Sequence, residues 1–145
     1  MRQLFIFLTA LAWTTTALPR SAEAVEGEPL YFSLEVKQDG RVVAAPKLLG
    51  VEGKPIRVER RQPGAASPDY RLVLFPNQGG GRYDVAFDLE LGGARWHYDL
   101  QLDHGQVRKL AIRSPQSLDV ELTLFRVDSP EFRALVGIQK PRRAI

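Results

Sequence analysis

The sequence predicts an all-β fold, an antiparallel β-sandwich or small barrel of about seven or eight strands with one short C-terminal helix. Three observations support this prediction. Apolar and polar residues alternate with a period of two in several segments, glycine and proline interrupt the chain between those segments, and a serine-proline pair near the C-terminus is typical of a helix start.

The first predicted hairpin turns at Asp39-Gly40, with alternating residues on both sides. Asp-Gly favours a type I′ turn, because both central residues of that turn need positive φ angles. A two-residue turn at this point pairs Val36 with Val43 and Leu34 with Ala45. These four side chains then share one face, so the pattern and the register agree.

The next segments are less regular. Residues 56–58 alternate and predict a strand, and residues 70–75 predict a short apolar strand that ends before Pro76. Residues 62–69 and 77–81 are polar or rich in glycine, and we expect them to form loops. Binding surfaces are common on such loops.

The clearest pattern lies in residues 82–102, where two alternating runs flank Gly92-Gly93. A turn there brings apolar side chains opposite apolar ones and acids opposite bases, and each such pair contributes about 0.2–1 kcal/mol. We expect the apolar members inside and the charged members outside. The predicted pairs are Leu89 with Trp96, Phe87 with Tyr98, Val85 with Leu100, Glu90 with Arg95, and Asp88 with His97.

The C-terminal part completes the predicted fold. Residues 106–112 form a predicted strand, but a tight turn before it does not give an apolar register with the preceding strand. Residues 118–124 alternate cleanly. Ser129-Pro130 supplies an N-cap and a proline in the first helical position, and Gly137 is a stop signal, so we expect a helix over residues 130–136.

The N-terminus has the features of an export signal. Arg2 precedes an apolar run over residues 4–13, and Ala22-Glu23-Ala24 follows. The run is too short for a membrane helix, which needs about 20 apolar residues, whereas the order of positive, apolar and small residues is typical of a signal peptide. We therefore expect residues 1–24 to be a cleaved signal peptide and the product to be periplasmic or secreted, without stable membrane insertion.

The remaining chain has the size of one domain, which we assign to residues 25–139, followed by a basic tail over residues 140–145. The full chain has 20 basic and 17 acidic residues and no cysteine. A nearly balanced charge does not favour nucleic-acid binding, which needs a concentrated basic face. The domain is expected to fold without disulfides.

The candidates for catalysis or metal binding are few. Asp88, His97 and Asp99 are expected on one sheet face, and together with His104 they resemble a poor two-histidine, two-carboxylate metal site. A surface ion pair is the simpler interpretation. The hydroxyl residues do not stand in a nucleophile-elbow pattern, and residues 78–81 are rich in glycine but lack the Lys-Ser/Thr of a phosphate-binding loop. We therefore assign no catalytic, cofactor-binding or metal-binding residue and expect no cofactor.

Aromatic side chains leave one alternative open. Tyr83, Phe87, Trp96 and Tyr98 fall on the same predicted face of the 82–102 hairpin. They form the core if a second sheet covers that face, and a platform for a sugar or a partner if the face is open. Because charged residues occupy the opposite face, the pattern favours the core.

One stretch also resembles a known family. Residues 45–58, APKLLGVEGKPIRV, are similar to a strand-turn-strand hairpin of the secretins, the outer-membrane pores of secretion and pilus systems. The resemblance implies the cell envelope as the compartment and no functional residue, and the rest of the chain resembles short exported proteins of Gram-negative bacteria. The matching residues are Pro46, Leu48, Leu49 and Glu52, and the departures are Gly50, Gly53 and Pro55.

Together these observations favour a non-enzymatic periplasmic binding or accessory protein of an envelope or secretion assembly, with a protein partner rather than a small molecule. Two alternatives remain open at this point. A carbohydrate or cell-wall binding module would expose an aromatic row, and a small envelope hydrolase would gather carboxylates or histidines in a cleft.

The export signal gives the first testable prediction. We expect the protein recovered from the envelope or the medium to begin at Val25, because the small residues at positions 22 and 24 fit the site that signal peptidase recognises. N-terminal sequencing of the recovered protein measures this. A protein that keeps Met1 and stays in the cytoplasm contradicts export.

Overall fold

The computed structural model describes residues 26–138. The predicted signal peptide, residues 1–24, and the predicted basic tail, residues 140–145, lie outside the described residues. Two antiparallel sheets and one helix are formed. The elements are β1 (Pro29–Gln38), β2 (Arg41–Ala44), β3 (Lys47–Val51), β4 (Ile56–Arg60), β5 (Tyr70–Gly79), β6 (Arg82–Leu91), β7 (Ala94–Leu102), β8 (Val107–Ile112), β9 (Leu118–Arg126) and α1 (Pro130–Ile138).

The first sheet has the order β2-β1-β9-β8, and β3 also pairs with β1. Strand β9 pairs with β1 along almost its whole length, so β2 and β3 share the other side of β1 and form one edge that is interrupted at Ala45-Pro46. The second sheet has the order β4-β5-β6-β7, in which each strand pairs with the next along the chain. The prediction of an antiparallel β-sandwich is confirmed, with nine strands in the described residues.

The core lies between the two sheets. Alternate residues of each strand point to it, which is the direct consequence of the period of two. Leucine dominates the first sheet's inner face, and Tyr70, Tyr83, Phe87 and Trp96 contribute aromatic side chains from the second. The fully buried large residues are Tyr83, Phe32, Phe87, Leu30, Leu72, Leu74, Leu89, Leu102, Ile112, Leu118, Leu122 and Leu124.

The hairpin of β6 and β7 has the predicted register. Every predicted pair is present, from Val85 with Leu100 to Glu90 with Arg95. Gly92 and Gly93 have φ angles of 57° and 82°, so the turn uses the left-handed conformation that glycine allows. The alternation specified this register because a slip of one residue places charged side chains in the core.

The hairpin of β1 and β2 differs from the prediction. Asp39 and Gly40 form the expected turn, with φ angles of 51° and 75°. The predicted pair of Val36 with Val43 is wrong, because an irregularity between Val36 and Lys37 shifts the register and places Val36 opposite Ala44. The shift buries the small side chain of Ala44 and leaves Val43 half-buried.

Two other predictions about strands need correction. Strand β5 does not end before Pro76 but continues to Gly79, so residues 77–79 are not a loop. The carbonyl of Pro76 accepts a hydrogen bond from the N–H of Gly53 at 2.7 Å, which places the missing proline N–H on the side where β4 has already ended. Strand β8 pairs with β9 and not with β7, so its side chains do not have to match those of β7 in register.

Residues 45–58 do not form the hairpin that the secretin resemblance suggested. Strand β3 belongs to the first sheet and β4 to the second, so the chain crosses between the sheets at residues 52–55. Gly50 allows this crossing, because a Cβ atom at that position would overlap the side chain of Ile56.

The C-terminal helix begins where the sequence predicted. Ser129 caps it, since its Oγ accepts a hydrogen bond from the N–H of Phe132 at 3.2 Å. The helix continues through the predicted stop at Gly137 and ends at Ile138. It contacts the outer face of the first sheet through the ring of Phe132, which lies 5.2 Å from that of Tyr31.

The core makes a testable prediction about stability. Phe87 is fully buried, so Phe87→Ala is expected to lower the free energy of unfolding by about 3–5 kcal/mol. Phe75→Ala is a matched control on the neighbouring strand, because Phe75 is 37% exposed and points outward. Denaturant unfolding of both variants measures the difference. Equal losses of stability would contradict the assignment of the two faces.

Candidate functional site

His97 lies on the outer face of the second sheet between two carboxylates. Its Nδ1 is 2.6 Å from Oδ1 of Asp88, and its Nε2 is 3.5 Å from Oδ1 of Asp99. The carboxylates therefore approach different nitrogens of the ring and do not surround one point. In residues 26–138 no group of three or more histidines and acids is arranged to hold a metal ion. The arrangement is that of the predicted surface ion pair.

His104 belongs to a separate cluster near the helix. Its Nδ1 accepts a hydrogen bond from the backbone N–H of Arg126 at 3.0 Å, so the proton of the neutral ring is on Nε2, which contacts Glu131 at 3.1 Å. The ring meets Phe125 edge-on, with centroids 5.8 Å apart. The structure thus brings Asp88, His97 and Asp99 together as predicted, but His104 takes partners from β9 and α1.

Ser129, Glu131 and His104 contain the residue types of a catalytic triad in the wrong arrangement. A triad needs histidine between the hydroxyl and the acid. Here Nε2 of His104 contacts Glu131 and its Nδ1 accepts a backbone N–H, so neither ring nitrogen faces the hydroxyl. The pKa of Glu131 is lowered chiefly by its own backbone N–H and then by His104. Ser129 is buried, and its hydroxyl donates to the carbonyl of Arg126 at 2.6 Å. These contacts hold the first turn of the helix in place next to β9 and the turn before β8.

A partly buried polar network ties the sheets together at the same end of the molecule. The hydroxyl of Tyr83 donates to Oε2 of Glu28 at 2.6 Å and accepts from Nε of Arg126 at 2.9 Å. Burial is the main cause of a raised pKa of Tyr83, and the hydrogen bond to Glu28 raises it further. The tyrosine therefore stays protonated and acts as a structural link from the second sheet to the first.

Charged residues form a row across the outer face of the second sheet. Glu59, Arg71, Glu90 and Arg95 are successive partners on its four strands. Arg71 contacts Glu59 at 2.9 Å, and Arg95 contacts Glu90 at 3.0 Å. A shallow hollow of about 410 Å³ lies beside this row and reaches His97. Because acids and bases of the row pair with one another, it is a satisfied surface network.

The aromatic row of the 82–102 hairpin is part of the core, as the alternation of the sequence favoured. Tyr83, Phe87 and Trp96 are buried, and Tyr98 is half-buried at the edge of the sheet. The indole N–H of Trp96 donates to the carbonyl of Ser114 at 2.9 Å, which fixes the ring under the loop that follows β8. The alternative of a binding platform on this face is therefore wrong.

A different apolar surface lies on the outer face of the first sheet, and the sequence reasoning missed it. We call it the outer apolar patch, and it consists of Tyr31, Leu49, Phe125, Phe132 and Val136. Tyr31 is the direct partner of Leu49 on one side and of Phe125 on the other. Phe132 packs on Tyr31, and Val136 follows one helical turn later.

The two aliphatic residues of the outer apolar patch are exposed to solvent. Leu49 is 68% exposed and Val136 is 43% exposed. The sequence pattern that could have indicated this patch is the presence of Tyr31 and Phe125 at outward positions of β1 and β9. Neighbouring outward residues of these strands, such as Ser33, are polar or charged. Apolar residues that lie next to one another on the solvent side of a sheet are the pattern expected of a contact surface.

The comparisons with known proteins give no family for this chain. No protein-family model matches it, and no curated protein or solved structure matches it. Within the described range no helix is both long and apolar enough to cross a membrane. The candidate site is therefore identified from the geometry of this structure alone.

The ion pair at His97 predicts a pH dependence. Asp88 raises the pKa of His97 above 6.5, first through its hydrogen bond and then through its charge. Because the folded pKa is the higher one, the stabilisation is complete below about 6.5, the value in the unfolded chain, and is lost as pH rises through the folded pKa. An NMR titration is expected to show the raised pKa, and Asp88→Asn is expected to lower it.

The matched control for this titration is Asp84→Asn, which removes an exposed carboxylate from the same face of the same strand. We expect it to leave the titration of His97 unchanged. An equal effect of both variants would mean that the general surface charge, rather than the contact with Asp88, sets the pKa of His97.

Proposed function

We propose that this chain is a non-enzymatic binding or accessory protein of the cell envelope, and that it binds a protein partner through the outer apolar patch. The observation that carries this proposal is the exposed leucine at position 49, which extends a cluster of aromatic side chains on the outside of a sheet whose inner face already forms the core.

The composition of the patch supports a protein partner. Aromatic rings flanked by aliphatic side chains are enriched in the centres of protein interfaces, where the partner removes them from water. Lys47 is exposed on the same strand as Leu49, and Arg133 is exposed on the helix next to Phe132. A ring of polar residues around an apolar centre is the usual anatomy of such an interface.

The geometry of the rings is less suited to a sugar. A sugar ring stacks on a flat aromatic face that is open to solvent. The ring of Tyr31 is tilted by 42° to that of Phe125 and by 50° to that of Phe132, and all three are half-buried against one another. The carbohydrate-binding alternative is therefore less favoured than the protein-binding one.

The titratable groups favour binding over hydrolysis. A hydrolase holds its acids and bases in a site that excludes water and shifts their pKa values toward the task. His97 and its two carboxylates are more than half exposed, and His104 and Glu131 hold the helix against the end of the sandwich. In both clusters the titratable groups make contacts within the fold, and they are not gathered in a cleft.

The envelope location in this proposal comes from the sequence. Residues 1–24 have the order of charge, apolar run and small residues that export requires. A domain without cysteine is compatible with the oxidising environment outside the cytoplasm.

Leu49→Arg tests the patch. We expect this variant to lose the partner that the wild-type chain retains from an envelope extract, because a guanidinium in the centre of an apolar contact stays unpaired. Val42→Arg is the matched control, since Val42 is 53% exposed and also lies on an edge strand of the first sheet, where it pairs with Lys37 at the end of β1 that is remote from Tyr31. Affinity capture followed by mass spectrometry compares the three proteins.

The outcomes are distinct. The proposal is supported if one protein is captured by the wild type and by Val42→Arg at similar levels and is reduced at least about tenfold with Leu49→Arg. Capture that survives Leu49→Arg contradicts the role of the patch. Sedimentation with purified cell-wall glycan that Leu49→Arg abolishes would favour the carbohydrate-binding alternative instead.

A further inference from the structure

The edges of the two sheets are protected to different degrees. An edge strand presents unpaired backbone groups to which another strand can bind, and proteins block it with proline, short strands or charges that point inward. Pro46 interrupts the edge formed by β2 and β3, and β4 has only 5 residues. On β8, Arg108 pairs with the inward-facing Leu122, so a charge lies on the core side of that edge.

Strand β7 lacks these protections. It has 9 residues without proline or glycine, and its register with β6 continues without a shift from Ala94 to Leu102. Within residues 26–138 no strand pairs with its other side. It is the longest and most regular edge of the sandwich.

The tight turn before β7 determines which of its residues direct their backbone N–H and C=O groups away from β6. A two-residue turn at Gly92-Gly93 makes Leu91 and Ala94 a hydrogen-bonded pair, so residues 94, 96, 98, 100 and 102 direct their N–H and C=O groups to β6. His97, Asp99 and Gln101 direct theirs to the open side. No hydrogen bond within the described residues uses these groups.

We propose that β7 pairs antiparallel with β7 of a second copy of this chain, with Tyr98 facing Tyr98 across the two-fold axis. The second sheets of the two copies then form one continuous sheet of eight strands. In this register His97 faces Asp99 of the second copy, and Asp99 faces His97, so the contact is self-complementary as a two-fold axis requires. On the inner side Trp96 faces Leu100.

The charges exclude one of the two neighbouring registers. Opposite charges that face each other across two strands stabilise the pair, and like charges destabilise it. A shift of two positions in one direction places Asp99 opposite Asp99. A shift in the other direction places His97 opposite His97 but also Asp99 opposite Arg95, so the cross-linking experiment below is needed to distinguish that register from the proposed one. A shift of one position places the inward row opposite the outward row.

Tyr98 provides a separate reason for a neighbouring strand. It points to the core, and its partner Phe87 is fully buried, yet Tyr98 itself is half-buried because nothing in the described structure covers the outer side of β7. The second copy places another tyrosine against this exposed side, which removes apolar surface of both rings from water.

The dimer goes beyond the proposed function. The edge of β7 belongs to the second sheet, whereas the outer apolar patch is on the outer face of the first sheet. Pairing through β7 therefore leaves both patches free, so a dimer presents two binding surfaces. Two linked surfaces increase the overall affinity for a repetitive or dimeric partner without any new contact.

Sedimentation equilibrium of the purified chain tests the dimer. We expect a reversible dimer for the wild type and a dimer dissociation constant at least about tenfold higher for Asp99→Lys, because lysine then faces His97. Ala111→Lys is the matched control, since it adds a lysine to an exposed outward position of the edge strand β8. The double variant His97→Glu with Asp99→Lys is expected to restore the dimer by reversing the charge pair.

A cross-linking experiment tests the register itself. The chain has no cysteine, so a single introduced thiol is unique. A mixture of His97→Cys and Asp99→Cys proteins is expected to form a covalent dimer with a short thiol-specific cross-linker faster than either protein alone. Circular dichroism confirms that each variant is folded.

Several results would overturn the proposal. The proposal is wrong if the wild-type chain sediments as a monomer over the whole concentration range. It is also wrong if the Asp99→Lys variant dimerises as strongly as the wild type. Loss of the dimer in Ala111→Lys would place the interface on β8. A dimer that Leu49→Arg dissociates would place it at the outer apolar patch, so the two proposals fail independently.

Discussion

The packing of one sheet face against the other is the interaction on which the rest of the structure depends. Without cysteine in the chain, the described domain has no covalent cross-link, and its stability comes from the apolar side chains that the two sheets enclose. Tyr83 and Phe87 fill this layer from the second sheet, and Phe32 fills it from the first. Because each strand has one face inside, every remaining outward side chain is available for contact with water or with a partner.

The two connections between the sheets explain why a glycine lies at position 50 and why the hydroxyl of Tyr83 has polar partners from the first sheet. The chain leaves the first sheet after β3, passes Gly50 under Ile56 and enters the second sheet at β4. It returns before β8 through the turn that holds His104. At that end Tyr83, the only aromatic side chain of the described core that bonds both an acid and a guanidinium, joins the sheets through polar contacts. Its hydroxyl needs these partners because a buried polar group without them is costly.

The surfaces that remain have different chemical characters, so they suit different kinds of contact. The outer face of the second sheet carries paired charges such as Arg71 and Glu59, which satisfy one another. The outer face of the first sheet carries the outer apolar patch, where Leu49 is solvated at a cost that a partner would remove. The open side of β7 offers backbone groups rather than side chains, so it favours a strand as its partner.

Local signals in the sequence determined the sandwich class, the β6–β7 hairpin and the start of the helix, because each depends on neighbouring residues. Alternation fixed which side of Phe87 is buried, the glycine pair fixed the turn, and Ser129 fixed the cap. The extension of β5 through Pro76 was not predictable in this way, since proline is tolerated there only because the neighbouring strand ends.

The partners of distant strands were decided by the tertiary structure alone. Alternation specifies which face of a strand is apolar but not which strand lies beside it, so the crossing at residues 52–55 and the pairing of β8 with β9 left no local signal. The same reason applies to the candidate site. Tyr31, Leu49 and Phe132 come from three elements far apart in the chain, and they form one patch because β3, β1 and α1 meet on the outer face of the first sheet.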